Sequence, residues 1–135
     1  WKVMDVKRRY RHLWIKPLYY GIKYQKVGST INAARKNIPD KVEEGIYDQI
    51  YVVEEEAVHA YFKKEEALDM FKFHSDESEN RSFALVKCEI PENTFYIEGS
   101  DDWERGLHEN VKLCGYKIIC AKKIITREII QCAHI

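Results

Sequence analysis

The sequence predicts an α+β fold, a mostly antiparallel sheet of five to seven strands with two or three short helices. Three observations lead there. Short apolar runs rich in Val, Ile, Phe and Tyr recur along the chain, one clear helical stripe interrupts them, and six Gly with three Pro are too few for a disordered chain. A length of 135 residues leaves room for one core, so residues 1–135 are expected to form a single domain.

The chain opens with Lys7-Arg-Arg-Tyr-Arg-His-Leu-Trp-Ile-Lys-Pro17, basic and aromatic, with Pro17 disfavouring helix at Lys16. It reads as an N-terminal arm covering about residues 1–17. Leu18 to Tyr24 reads as a strand with a bulge at Gly21. Ser29 or Thr30 is suited to cap a short helix, since Ile31, Ala34 and Ile38 share one helical face and Pro39 closes it. Ile46 to Val53 alternates as a strand, and Glu54, Glu55 and Glu56 form a turn or exposed edge.

Ala57 to Phe62 is a short apolar strand. After it, Ala67, Met70, Phe71 and His74 stand at i, i+3, i+4 and i+7 of the clearest helix. Ser75 to Arg81 is a polar connector with no apolar anchor. Phe83 to Ile90 is a strong strand, Pro91 to Thr94 a turn, and Phe95 to Ile97 its returning partner. Gly99 to Gly106 is expected as a loop or a single helical turn. Tyr116–Ala121 and Ile124–Ile130 make two strands or one bent strand, split by Lys122 and Lys123.

Charge is segregated along the chain although its sum is zero. The first 42 residues hold eleven Lys/Arg against Asp5 and Asp40, and residues 43–80 hold twelve Asp/Glu against Lys63, Lys64 and Lys72. Either the two blocks neutralise each other in the fold or they present opposed faces to partners. In the basic block Arg8, Arg9, Arg11, Lys7, Lys16, Lys23 and Lys26 are interleaved with Tyr10, Trp14, Tyr19, Tyr20 and Tyr24. Cations neutralise phosphates and rings stack on unpaired bases, so this composition suits a single-stranded nucleic acid or nucleotide. The alternative is that the cations meet the acidic block 43–80 within the fold or face solvent while the rings pack as core. In the acidic block Glu54, Glu55 and Glu56 are candidates for a protein-binding edge, because three adjacent carboxylates on an extended chain point alternately and do not converge on a metal.

Four Cys (Cys88, Cys114, Cys120 and Cys132) form no Cys-x-x-Cys and match no common zinc spacing, so reduced buried thiols are expected. No metal and no cofactor is expected from the residues. His59 and His74 read as core or boundary histidines, and Gly28-Ser-Thr30 lacks the Lys and flanking Gly of a phosphate loop. No apolar run approaches the roughly 18 residues of a spanning helix, and no charged-then-apolar leader is present. A soluble cytoplasmic protein with Met4 as its native start is the expectation.

Val58-His-Ala-Tyr-Phe-Lys-Lys-Glu-Glu-Ala-Leu68, within Ile46 to Phe71, resembles the strand-then-helix element of small ADP-ribosyltransferase-like domains. Val86-Lys-Cys-Glu-Ile-Pro-Glu-Asn-Thr-Phe-Tyr-Ile-Glu-Gly99, with Lys122-Lys-Ile-Ile125, resembles a strand–turn–strand of small phage and mobile-element accessory proteins. The likeness spans about residues 18–130. In that transferase family a His or Arg on the first strand and a later Glu hold the nicotinamide end of NAD. Here Tyr20 stands where the His would sit, Tyr61 matches the stacking Tyr, and neither Glu98 nor Glu128 falls in a recognisable Glu motif. The resemblance implies a β-core of that type and, as its enzymatic reading, an NAD-dependent transferase using Tyr20, Tyr61 and Glu98.

The first expectation is nevertheless a small intracellular binding or inhibitor protein of phage type. It would act by occluding a host protein, a nucleotide signal or a nucleoprotein complex, with exposed aromatics and charged faces as anchors. A protein is the first expected partner, with no membrane involved. The transferase is the alternative, and a single-stranded nucleic-acid or nucleotide binder the third reading.

Overall fold

A computed structural model describes residues 1–18, 23–32, 58–94, 96–101, 104–105, 112–113 and 116–135. The expected strand at 46–53, the site residues Tyr19, Tyr20, Glu54, Glu55 and Glu56, and Cys114 lie outside them. The described fold is sheet-dominated α+β. Its strands are β1 (Lys2–Arg9), β2 (His12–Pro17), β3 (Gln25–Lys26), β4 (Thr30–Asn32) and β5 (Val58–Tyr61). Helix α1 (Lys64–Glu77) follows, then β6 (Phe83–Glu89), β7 (Tyr96–Asp101), β8 (Glu104–Arg105), β9 (Lys112–Leu113), β10 (Tyr116–Ala121) and β11 (Lys123–Ala133). There are more strands and fewer helices than the sequence predicts, one helix among the described residues.

Every pairing among the described residues is antiparallel. One sheet runs β3-β2-β1-β6-β11-β4, a second β5-β10-β7, and β8 pairs with β9. The first sheet has to curl. Its edge strands β3 and β4 are joined only by Val27, Gly28 and Ser29, a connection that reaches roughly 14 Å at full extension. The edges of a flat six-stranded sheet stand about 24 Å apart. The curl is bolted at Thr126 of β11, which is 1% exposed. Its backbone N–H donates to Ser29 O (3.1 Å) and its carbonyl accepts from Gly28 N (2.9 Å), while its hydroxyl donates to Ser29 O (3.2 Å). A bulge between Thr126 and Glu128 supplies the bend. Gly28 has φ 98, a left-handed value that costs glycine nothing.

This closure overturns Ser29 or Thr30 as the cap of a helix, while Ala34, Ile38 and Pro39 of that expected helix lie outside the described residues. Thr30–Asn32 pairs with Lys123–Ile125 instead, turning Ile31 into the core. The partner strand lies more than ninety residues away, so a local capping signal yields to sheet pairing. The curled sheet encloses Met4, Val6, Ile15, Ile31, Ala84, Val86 and Ile124. Its outer side at Val3, Phe83 and Leu85 is covered by Ala67, Met70 and Phe71 of α1. Central strand β6 is therefore buried on both faces from Phe83 to Val86.

Three further expectations change. The helix runs through Ser75 to Glu77, and Arg81 beyond it is tied to Asp5, so the connector has a polar anchor. Leu18, Lys23 and Tyr24 are not in a strand; residues 19–22 are outside the described set. The turn at Pro91–Thr94 forms, with Asn93 at φ 61 and Thr94 N–H donating to Pro91 O (3.2 Å). It does not return the chain onto β6, however. β7 pairs with β10 in the other sheet, and the chain re-enters the first sheet only after Lys122.

Candidate binding surface

The expected basic arm is a β-hairpin inside the sheet. Register pairs Met4 with Pro17, Val6 with Ile15, Lys7 with Trp14, Arg8 with Leu13 and Arg9 with His12, leaving Tyr10 and Arg11 as a two-residue turn. Pairing of β1 with β6 stops at Asp5–Phe83, and β3 meets β2 only at Trp14 and Ile15. Among the described residues, the ribbon from Lys7 to Leu13 thus projects beyond both neighbouring strands.

Alternation sorts its side chains. Met4, Val6, Leu13 and Ile15 point into the curled sheet. Lys7, Arg9, His12, Trp14 and Lys16 share the outer face, and Lys26 joins them through its pairing with Trp14. Tyr24 lies on this face beneath two ammonium groups, Lys7 at 4.0 Å and Lys16 at 5.2 Å from its ring centre. Lys26 stands 5.5 Å from the Trp14 ring. Burial, and secondly Asp5, push the Tyr24 phenol above the ordinary tyrosine range, so the ring under these cations stays neutral at physiological pH. The Trp14 indole N–H is buried without a hydrogen-bond partner among the described residues.

At the base of this face Asp5 is 6% exposed. Its two carboxylate oxygens accept from Arg81 Nη2 at 2.8 and 2.9 Å, with Lys16 Nζ at 3.9 Å. The tip is different. Lys7 to His12 are all exposed, and Arg8, Arg9 and Arg11 make no ion pair with any described residue. Tyr10 is 89% exposed and holds φ 57, a region that costs a residue with a Cβ roughly 1–2 kcal/mol. The strained ring gains no packing in return. Such strain, retained at an exposed turn, points to a use for the side chain outside the fold. Tyr10→Gly is expected to raise stability by about 0.5–1 kcal/mol, the relieved strain less the entropy of an added glycine. A urea melt checks this; a loss of stability would show that the ring is held by the protein.

Of the residues of the transferase reading, Tyr20 lies outside the described residues, and Tyr61 and Glu98 do not converge. Tyr61 is opposite Ile118 in β10, whereas Glu98 is opposite Ile119. Neighbours along a strand face opposite ways, so Tyr61 and Glu98 stand on opposite faces with β10 between them. Tyr61 packs edge-on against Tyr116, ring centres 6.3 Å apart. Glu98 is half exposed and paired with Lys117 at 3.2 Å.

Cys120 is buried, and Cys88 and Cys132 are half-buried. Burial pushes the last two above the ordinary thiol range, which leaves them poor nucleophiles. Among the described residues no three His, Cys, Asp or Glu side chains gather as metal ligands, and no helix is long and apolar enough to cross a membrane.

Sequence reasoning identified Arg8, Arg9, Tyr10, Arg11 and Trp14, and the structure assembles them on one hairpin. It missed His12, which faces Arg9, and Arg81, which fixes the base of the surface. Alternation about a two-residue turn could have placed the first; no local signal marks the second. Comparison with known proteins gave no matching family model, no matching curated protein and no matching solved structure.

Proposed function

We propose that this protein acts by binding rather than by bond-making. It is a small intracellular accessory or inhibitor protein whose working surface is the tip and outer face of the β1–β2 hairpin. One observation carries the reading: Arg8, Arg9 and Arg11 reach solvent around an exposed, strained Tyr10, unpaired among the described residues although the chain contains a strongly acidic block. Guanidinium groups without partners among the described residues suit carboxylate or phosphate acceptors, which they bind through paired hydrogen bonds. Tyr10 adds a large contact area at little conformational cost. The inferred mechanism is occlusion: an anionic surface on the partner is covered by the hairpin, while its rigid base on β6 and Asp5–Arg81 holds the tip in position.

Heparin, an immobilised polyanion, is a suitable probe. The protein is expected to be retained at physiological ionic strength and the R8E/R9E/R11E variant to elute at lower salt. A variant with the same change of net charge elsewhere, K87E/K122E/K123E, should elute near the unmodified protein. Equal loss of retention in both variants would contradict the assignment of the hairpin.

A further inference from the structure

We propose that the anionic partner is double-stranded DNA, with the β1–β2 ribbon entering a groove. The inference rests on the binding reading above and adds the occupant. Three features of the ribbon select it. First, cations lie on both sides: Lys7 and Arg9 on the outer face, Arg8 on the opposite face, and Arg11 at the turn. A flat acidic protein surface meets one side of a ribbon. A groove places phosphates along both.

Second, the dimensions fit. Two residue pairs, Arg8–Leu13 and Arg9–His12, project with the turn beyond the neighbouring strands, a length of about 7 Å at the strand rise. The major groove of B-form DNA is about 8.5 Å deep and admits a two-stranded ribbon. With Tyr10 and Arg11 at its floor, Lys7 lies at the phosphate rim. The narrow major groove of an RNA duplex excludes such a ribbon.

Third, the rings on the outer face are not available as stacking platforms. Tyr24 is covered by Lys7 and Lys16, and Trp14 by Lys26. A binder of single strands needs open rings in series; among the described Tyr and Trp rings of this surface only Tyr10 is open. The cations above Tyr24 and Trp14 instead continue the positive face along the base of the ribbon, in line with a phosphate backbone. The recognition expected is dominated by phosphate contacts, with Arg11 and Tyr10 reaching base edges.

Fluorescence anisotropy with a labelled 20-base-pair duplex, the matching single strand and polyglutamate as competitor tests the proposal. The duplex is expected to bind more tightly than the single strand and to resist polyglutamate of equal charge. If Lys7, Arg8 and Arg9 each neutralise one phosphate, affinity falls about 40-fold between 50 and 200 mM salt, a logarithmic slope near −2.7. Arg9→Ala should make the slope shallower by about 0.9. Tyr10→Ala should weaken binding and leave the slope unchanged. Equal or tighter binding of the single strand, full displacement by polyglutamate, or undiminished duplex binding by R8E/R9E/R11E overturns the proposal. Heparin retention that depends on the three arginines, without duplex binding, sinks the DNA assignment alone. Retention that does not depend on them sinks the binding surface itself.

Discussion

Phe83→Ala is expected to destabilise the protein by about 3–5 kcal/mol, the usual cost of truncating a fully buried Phe. Phe83 is 1% exposed and sits where β6 meets the helix, packed with Val3, Ala67, Met70, Phe71 and Leu85. The His74 ring centre lies 5.7 Å from its own, and the Arg81 guanidinium lies 5.2 Å from it. Truncation removes contacts from both the helix and the sheet, and a rigid β-strand cannot collapse into the space. Total stabilities of domains this size are about 5–15 kcal/mol, so the variant should be partly unfolded near room temperature or melt far earlier. Phe83→Leu keeps most of the volume and should lose about 1 kcal/mol. A urea titration of both variants distinguishes this from a surface role, in which the two substitutions would cost alike and little.

The second large effect concerns Asp5 and Arg81. The Asp5 side chain is 9% exposed and that of Arg81 50%, so the pair is asymmetric. Arg81→Met leaves a buried carboxylate whose remaining ion-pair partner among the described residues is Lys16, at 3.9 Å. The expected loss is about 2 kcal/mol, the cost of stranding a charged acceptor, reduced from that of a fully buried pair because Arg81 is half in water. Adding Asp5→Val to Arg81→Met should restore most of that stability, since an apolar side chain on a strand needs no partner. The double-mutant cycle provides the check. A double variant as unstable as the sum of its parts would mean that the two groups do not interact across the base of the hairpin.

Legibility in the sequence followed periodicity. The helix Lys64–Glu77 and strands β5, β10 and β11 were readable because one face of each is packed, and β6 because both are, and the apolar pattern records it. The hairpin was not. Lys7 to His12 is polar on both faces because the ribbon leaves the sheet, so no alternation marks it as strand. β4 was misread as a helix start because Gly28 and Thr126, which determine its place, are far apart in sequence. The allocation of β7 to β10 rather than β6 likewise has no local signature: the Pro91–Thr94 turn is present, but the direction in which it sends the chain depends on the second sheet. Composition alone revealed the cations and rings of the candidate surface. The fold was needed to show that the lysines cover the rings while the arginines are left open.

Stability of the R8E/R9E/R11E variant tests the central claim most directly, because it asks whether these cations belong to the fold or to a partner. Each arginine is exposed and without an ion-pair partner among the described residues. Surface substitutions of that kind shift stability by no more than about 0.5 kcal/mol each. The expected result is a urea midpoint close to that of the unmodified protein at both low and high salt, in a variant that has lost its retention on heparin. A clear drop in the variant's stability at low salt, narrowed by added salt, would contradict the account. It would place the arginines in the fold, paired with the acidic block, rather than on a surface made for another molecule.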